Sequence, residues 1–387
     1  MARLSRIAVA AGIAALGLFA GSQSFAFAIA DRQPDLALQI DSNQPQALAN
    51  IAYNAFSMGQ TGNGDEITQA RLNEAIMGDP MQVRAFAAMA LLRQVEDQEA
   101  ARLLMSYAQS LSRRNLGVQL WWIEDWAARG DVARTLEHYD IAMRSEASAP
   151  GLLFPILVTA SSDPRIASEL ARILADNPVW GEQLVQQIAQ SSTDLPGVTE
   201  LFVAMNENGA RVPDAALSAA TARMAQAGSL AEAWRAFRAA RPQQATRPVR
   251  NSAFASDGAI PTVFDWQPQE GSPTATLGNG TLYLSAAAGV SGVAVRQIGT
   301  LPPGTWRIDF RHDASDPGNL PRLTASCSLD GTVLGQSRTV GEGLARLTFT
   351  VPSSCPFQDL SFALPTSDRP GGASASVREL TIRQEPT

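Results

Sequence analysis

The sequence contains no lysine, two histidines and two cysteines, and aromatic residues make up 6% of the chain. The histidines, His138 and His312, lie in different regions, so no spacing typical of a metal site occurs. A Gly-Lys-Ser/Thr phosphate loop and a Gly-x-Ser-x-Gly nucleophile elbow are also absent. These absences argue against an enzyme and predict no cofactor. They leave glycoside hydrolysis open, because its two carboxylates come from distant parts of a chain.

The charge balance is mildly acidic. The 37 acidic residues exceed the 30 basic ones, which gives a net charge of −7. Nucleic acid binding needs a basic surface that displaces counterions, so this balance argues against a nucleic-acid partner. All the basic residues are arginine, which we attribute to genomic base composition rather than to a recognition role. With 387 residues, 45% of them hydrophobic, the chain can build two or three cores.

Residues 1–30 have the features of a targeting segment. Two arginines precede an apolar stretch that starts at Ile7, and this order predicts export of the chain that follows. Residues 28–30 resemble a signal-peptidase site. Residues 7–30 are also long enough to span ~30 Å of hydrocarbon at ~1.5 Å per residue, as a retained anchor. Both alternatives place residues 31–387 outside the cytoplasm.

The two cysteines, Cys327 and Cys355, both fall in the C-terminal third of the chain. An even pair in an exported protein favours a disulfide over a metal site. The alternative is a pair of buried free thiols.

Apolar residues recur at helical spacing up to about residue 242. For example, an apolar stripe continues through residues 100–111, and Gly228 falls where one helix would end and the next begin. Residues 101–107 match residues 133–139 at an offset of 32 residues. Periods near 34 residues with an Ala-rich helix pair are typical of tetratricopeptide repeats. One such α-hairpin cannot bury its apolar face alone, so the pattern predicts a stack of hairpins.

Three stretches, residues 37–52, 75–87 and 112–144, carry a more specific likeness. They make residues 31–190 resemble a group of exported tetratricopeptide-like proteins of Gram-negative bacteria. Members of that group often occur with exopolysaccharide synthesis and secretion systems, and they tend to keep an N-terminal membrane segment. The resemblance implies a solenoid of α-hairpins that docks envelope proteins, and it favours the anchor over the cleaved signal.

The candidate partner-binding residues of this half are Trp121, Trp122, Trp126, Arg113 and Arg114. On a helix, Trp122 and Trp126 share a face at i, i+4, while Trp121 points elsewhere. Together with two adjacent acidic residues, they could form a groove for a peptide, or they could fill the space between repeats. Arg113 and Arg114 could pair with an anionic sugar or phosphate, or they could simply lie near the negative end of a helix.

After residue 250 the apolar residues alternate, and the runs are separated by Gly, Pro and Asp-Gly breaks. About eight short strands at this spacing predict an antiparallel β-sandwich, of the jelly-roll kind. The order of residues 264–266, 282–284 and 303–308 resembles carbohydrate-binding-module-like jelly rolls. Residues 243–250, with their two prolines, are typical of a linker.

Alternation along the strands separates core residues from surface residues. It places Trp306 inside, and it places Tyr283, Arg307 and Arg311 on solvent-facing positions. A sugar could stack on Tyr283, and the two arginines could donate to hydroxyls or carboxylates. The alternative is an ordinary solvated sheet face.

The sequence thus predicts a multidomain all-α plus all-β protein, a tetratricopeptide-like α-hairpin solenoid followed by an antiparallel β-sandwich. The expected domains are 1–30 (signal or anchor), 31–242 (helical repeats), 243–250 (linker) and 251–387 (sandwich).

The expected function is that of a non-enzymatic scaffold in envelope or exopolysaccharide assembly, facing the periplasm from the inner membrane, or soluble there if the signal is cleaved. Its helices would dock an envelope protein, and its sandwich could contact polysaccharide. The alternatives are an exported glycan-binding module with a helical spacer and a glycoside hydrolase.

Overall fold

A computed structural model of the chain describes residues 2–57, 65–256, 258, 260–315 and 318–386. Within these residues, all the α-helices precede all the β-strands. Every strand pairing is antiparallel, and the strands form two sheets. The predicted class, all-α followed by all-β, is therefore confirmed.

The helical part contains fourteen α-helices among the described residues. Four of them begin at an aspartate whose carboxylate accepts first-turn backbone N–H groups, which stabilises the helix start; these are Asp97, Asp131, Asp163 and Asp194. The helices are α1 (Ala2–Ile29), α2 (Pro34–Ile40), α3 (Pro45–Ser57), α4 (Asp65–Gly78), α5 (Val83–Arg93), α6 (Gln98–Leu111), α7 (Leu116–Ala128), α8 (Val132–Ser145), α9 (Ala149–Ala160), α10 (Pro164–Ala175), α11 (Gly181–Ser191), α12 (Leu195–Glu207), α13 (Asp214–Gln226) and α14 (Leu230–Ala240).

Helix α1 contains a segment, Gly12–Ile29, that is long and apolar enough to cross a membrane. Its mean hydropathy is 1.5, and 6% of it is buried. A signal sequence near the N-terminus has the same length and composition as an anchor. The helix is therefore a possible signal or anchor, as the sequence predicts.

The chain divides into two compact units, Met1–Leu153 and Phe154–Thr387. This division falls inside α9, whereas the sequence pattern changes near residue 250. The later helices thus belong to the same unit as the sandwich. The boundaries drawn from the sequence pattern stay a prediction about domains.

Alanine dominates the helix contacts of the first unit. Ala49, Ala52, Ala75, Ala85 and Ala88 are buried between α3, α4 and α5. Side chains this small let helix backbones approach closely, and larger residues such as Leu72 fill what remains. Consecutive helices α5 and α6, and α7 and α8, pack on each other. The tetratricopeptide-like repeat itself stays a prediction.

The β part is built from two sheets. The five-stranded sheet has the order β1-β4-β10-β6-β7, and the six-stranded sheet has the order β2-β3-β11-β5-β9-β8. The strands are β1 (Gln267–Pro268), β2 (Thr274–Gly278), β3 (Thr281–Ala286), β4 (Gly292–Gly299), β5 (Gly304–Ala314), β6 (Arg322–Cys327), β7 (Val333–Gln336), β8 (Arg338–Gly341), β9 (Leu344–Val351), β10 (Gln358–Leu364) and β11 (Ala373–Gln384).

The inner faces of both sheets contribute to one core. Ile308 and Leu347 from the six-stranded sheet are fully buried with Val295 and Phe362 from the five-stranded sheet. Packing of two apolar faces against each other defines a β-sandwich. Trp306 lies in this core, 7% exposed, as alternation predicts.

Cys327, at the end of β6, and Cys355, in the turn before β10, form a disulfide with their Cα atoms 5.6 Å apart. Both residues are buried. The predicted pairing is thus confirmed, and it closes a loop that contains β7, β8 and β9.

Replacement of both cysteines by alanine should lower the free energy of unfolding by about 3 kcal/mol, because the bridge closes a loop of 28 residues in the unfolded chain. Urea denaturation of the oxidised protein, the reduced protein and the double variant would measure the effect. The reduced protein should resemble the variant. Equal midpoints for all three would contradict the prediction.

His312 lies on the inner side of β5 and is 7% exposed. Both of its ring nitrogens are buried, and neither has a hydrogen-bond partner within the described residues. Burial lowers the pKa of His312, while the nearby Asp313 acts in the opposite direction. The folded protein therefore favours the neutral imidazole.

The lowered pKa of His312 predicts acid sensitivity. As the pH falls through the unfolded-state pKa of about 6.5, the unfolded chain takes up the proton first and stability declines. His312→Leu removes this group, so its stability should fall less between about pH 7.5 and about pH 5.5. Urea midpoints of both proteins at the two pH values measure the difference. Parallel losses would show that other groups are responsible. His138→Leu measures separately the contribution of the other histidine, whose pKa burial also lowers.

Arg250 connects helix α14 to the sandwich within the second unit. Its side chain is buried, with the guanidinium carbon 4.7 Å from the ring centroid of Phe237, 5.3 Å from that of Phe264 and 5.6 Å from that of Trp234. Its Nε lies 3.4 Å from Oδ1 of Asp265. Burial lowers the pKa of Arg250 to about 10, so the side chain stays charged at neutral pH.

The segment predicted as a linker, residues 243–250, packs against the sandwich at its C-terminal end. It contains a 3-10 helix, Gln244–Thr246, and it ends at the buried Arg250. The carbonyl of Arg250 accepts from Gln297 Nε2 of β4 at 3.1 Å. A further hydrogen bond, from Ser218 Oγ of α13 to the Pro261 carbonyl, is 2.8 Å long.

Arg250→Met keeps the length of the side chain but removes the charge that the three rings and Asp265 stabilise. We expect the free energy of unfolding to fall by about 2 kcal/mol, the size of a desolvated cation–π interaction. The free energy of unfolding of Arg250→Lys should lie between that of Arg250→Met and that of the wild type, because an ammonium group keeps the charge without the planar stacking surface. Urea denaturation followed by tryptophan fluorescence measures both. An Arg250→Met protein as stable as the wild type would show that the stacking contributes nothing.

Candidate functional site

The six-stranded sheet has one face in the core and one in solvent. We call the solvent side the outer face; it consists of the alternate residues of β2, β3, β5, β8, β9 and β11 that are not buried. Tyr283 on β3 is 52% exposed, between the buried Leu282 and Leu284. An aromatic ring of this size in solvent is a surface on which an apolar or sugar ring can stack.

Hydroxyl groups surround Tyr283. In the strand register, Tyr283 lies opposite Thr276 on one side and Ser376 on the other, and Ser376 lies opposite Asp313. This row crosses four strands and therefore spans about 14 Å. A parallel row next to it contains Thr274, Ser285, Ser374 and Ser315. We call these two rows the hydroxyl half of the outer face.

The hydroxyl half forms a shallow groove of about 490 Å³ that Tyr283 and Asp313 line together with the serines and threonines. Hydroxyls donate and accept, and the Asp313 carboxylate accepts only. This combination of one ring and many small polar groups matches the alternating apolar and hydroxyl surfaces of a sugar.

The other part of the outer face is rich in arginine and centres on Asp309 of β5. Arg346 Nε donates to Asp309 Oδ1 at 2.7 Å, and Arg307 Nε donates to Oδ2 at 3.1 Å. Arg383 Nη2 lies 3.5 Å from the same Oδ2. One carboxylate therefore faces three guanidinium groups. We call this region, together with Arg311, Arg338 and Arg378, the arginine half.

The arginines differ in how completely they are paired. Arg307 also contacts Glu385, with Nη1 and Oε1 2.9 Å apart, and its side chain is 19% exposed. Arg311 pairs with Glu379 at 2.9 Å, and both are more than half exposed. Arg378 and Arg338 are exposed and have no acidic partner in the part of the chain that the structure describes. Among the described arginines of this face, those without an acidic partner are thus Arg338 on β8 and Arg378 on β11.

The three sugar-binding candidates of the sequence analysis, Tyr283, Arg307 and Arg311, lie on this one face. Tyr283 is available, Arg311 is partly available, and Arg307 is held in place by Asp309 and Glu385. Whether they bind a ligand stays a prediction.

Sequence reasoning did not identify the remaining members of the face. The alternation in β11 places Ser374, Ser376 and Arg378 on the side opposite to Ala375 and Val377, which are buried. This alternation can be predicted from the sequence alone. Their position beside Tyr283 could not be predicted in this way, because β11 pairs with β3, and Ser376 is 93 residues from Tyr283 along the chain.

The tryptophan candidates of the first unit have different environments. Trp121 is 5% exposed, and its Nε1 donates to Gln94 Oε1 at 2.9 Å. Trp122 is 8% exposed, stacks on Trp126 with ring centroids 5.9 Å apart, and stacks on His138 at 5.8 Å. The expected shared face of Trp122 and Trp126 is therefore present. Trp121 packs in the core.

Charged groups hold Trp126 in place. The guanidinium carbons of Arg134 and Arg129 lie 4.2 Å and 4.7 Å from the ring centroid. Arg129 in turn pairs with the buried Asp125 at 2.9 Å, as does Arg102 at the same distance. These contacts give Trp126 a structural role and leave its remaining surface half-buried.

An open groove of about 430 Å³ lies beside this stack, and it is lined by Ser106, Gln109, Ser110, Arg113, Trp122, Trp126 and His138. His138 Nδ1 lies 2.8 Å from Gln119 Oε1, an acceptor, so Nδ1 carries the proton. Burial lowers the pKa of His138, so the ring is neutral at neutral pH. Arg113 reaches Glu137 at 3.8 Å, whereas Arg114 does not line the groove.

Among the described residues, no group of three or more His, Cys, Asp or Glu side chains is placed to hold a metal ion. Comparison of the sequence with protein-family models and with curated proteins found no match. The interpretation of the two surfaces therefore depends on their chemistry.

Proposed function

We propose that this chain is an exported, non-enzymatic binding protein of the cell envelope that holds polysaccharide on the outer face of its sandwich. The observation that carries the proposal is the exposed ring of Tyr283, which lies within one row of hydroxyl-bearing residues and beside a second. Sugars present apolar ring faces for stacking and hydroxyls for hydrogen bonds, and this groove offers both. Its shallow, open form suits a polymer that passes across the sheet.

The proposed location is the periplasmic side of the inner membrane. The apolar N-terminal helix, which is a possible signal or anchor, supports export. The disulfide between Cys327 and Cys355 supports an oxidising compartment. With the resemblance to exported tetratricopeptide-like proteins, these features favour a role in exopolysaccharide or envelope assembly.

A second proposed function belongs to the helices, which would dock an envelope protein. The groove beside Trp126 and His138 favours it, because an aromatic and polar cleft between helices suits an extended peptide or a helix. In this scheme one protein holds a glycan and a protein partner at once.

Tyr283→Ala should weaken the binding of polysaccharide to the full chain by about tenfold, since the stacking surface is lost while the fold is kept. Affinity electrophoresis in gels that contain xylan, hydroxyethylcellulose or polygalacturonate measures the retardation. Tyr283→Phe keeps the ring and should bind almost as well.

Val293→Ala is the matched control, because Val293 is an exposed residue of the five-stranded sheet. A Tyr283→Ala protein that is retarded as strongly as the wild type would exclude the outer face as the binding surface. The absence of retardation of the wild type on every polymer would exclude the polysaccharide proposal itself.

A further inference from the structure

We propose that the arginine half of the outer face makes this site selective for acidic polysaccharide, a polymer that carries carboxylates such as uronic acids. The inference rests on the proposed function, because it assigns a ligand class to the same face. It is carried by a separate observation, the arrangement of charge on the sheet.

Arginines are concentrated on this one surface. Six of the nine arginines of residues 251–387 lie on the four strands β5, β8, β9 and β11. They are Arg307, Arg311, Arg338, Arg346, Arg378 and Arg383. The complete chain has a net charge of −7, so a basic face is a local departure from the composition. A surface of net positive charge attracts anionic ligands.

The strand register places these arginines opposite each other. Arg378 lies opposite Arg311, and Arg383 lies opposite Arg307, across the β11–β5 pairing. Arg338 lies opposite Arg346 across the β8–β9 pairing. Like charges directly opposite on neighbouring strands destabilise a sheet. Asp309 already bridges Arg307 and Arg383. In the other two pairs, Arg378 and Arg338 have no acidic partner within the described residues, so a bound polyanion would relieve the repulsion there.

The acidic residues on the face neutralise only part of this charge. Asp309 is shared by three arginines, and Glu379 and Glu385 take one arginine each. Arg338 and Arg378 have no acidic partner within the described residues. Their donors are free for a carboxylate, which guanidinium binds through two parallel hydrogen bonds.

Arg378 is also next to the hydroxyl half. It is two residues from Ser376, the cross-strand neighbour of Tyr283. Residues two apart on a strand point to the same side, about 7 Å from each other. A sugar stacked on Tyr283 would thus place a carboxylate within reach of Arg378, and the polymer would continue over Arg311 towards Asp309.

The test compares polygalacturonate with the same polymer after reduction of its carboxyl groups, using the full chain in affinity electrophoresis and calorimetry. The wild type should bind the acidic polymer about tenfold more tightly at low salt, and added salt should remove the difference. The double variant Arg338→Gln/Arg378→Gln should lose this preference and keep its affinity for the reduced polymer. Neither substitution leaves an acidic residue without its partner.

Arg322→Gln is the matched control, because Arg322 is an exposed arginine of the five-stranded sheet. Single-stranded oligonucleotide serves as a second polyanion. Equal affinity of the wild type for both polygalacturonates would overturn the inference while leaving the proposed function in place. An Arg322→Gln effect as large as that of the double variant, or oligonucleotide binding as tight as polygalacturonate binding, would overturn it as well. Failure of both polymers to bind would overturn the inference together with the proposed function.

Discussion

The alternation of side chains along the strands of the six-stranded sheet is the constraint on which the candidate site depends. A strand whose even positions pack in the core must present its odd positions to solvent. In β5 the residues Trp306, Ile308 and Phe310 are buried, so Asp309 and Arg311 face outwards. The same constraint in neighbouring strands assembles an outer face whose chemistry is independent of the core beneath it. Apolar packing in the core therefore leaves the side chains of the outer face free to form a binding surface.

A second determinant of the structure is the buried guanidinium of Arg250. Its positive charge is stabilised by aromatic rings of α14 and of the segment before β1, and by the ion pair with Asp265. Such an arrangement makes the end of the helical part and the start of the sandwich pack together. This explains why the change in sequence pattern near residue 250 does not coincide with a boundary between the compact units, which falls within α9. Secondary-structure class and compact unit are different properties.

The two candidate surfaces differ in what holds their aromatic residues. In the first unit, Trp121 is buried, Trp122 is covered by Trp126 and His138, and Trp126 lies against two arginines. Most of that aromatic surface is therefore used for packing within the unit. Tyr283 in the sandwich has no ring partner among the described residues and keeps half of its surface in solvent. A half-exposed aromatic residue without a ring partner is the stronger indication of a ligand, which is why the sandwich carries the leading proposal.

The sequence by itself determined the order of helices and strands, the apolar N-terminal helix, the disulfide and the outward direction of Tyr283, Arg307 and Arg311. All of these follow from local periodicity or from the small number of cysteines. Only the tertiary structure decided which strands are neighbours, and therefore that Arg378 stands opposite Arg311 and that Ser376 stands beside Tyr283. It also decided that Arg307 is occupied by Asp309 and Glu385, whereas Arg338 and Arg378 are not. The physical reason is that periodicity specifies the side of a strand on which a residue lies, whereas strand pairing joins residues far apart in the chain and depends on the packing of the complete core.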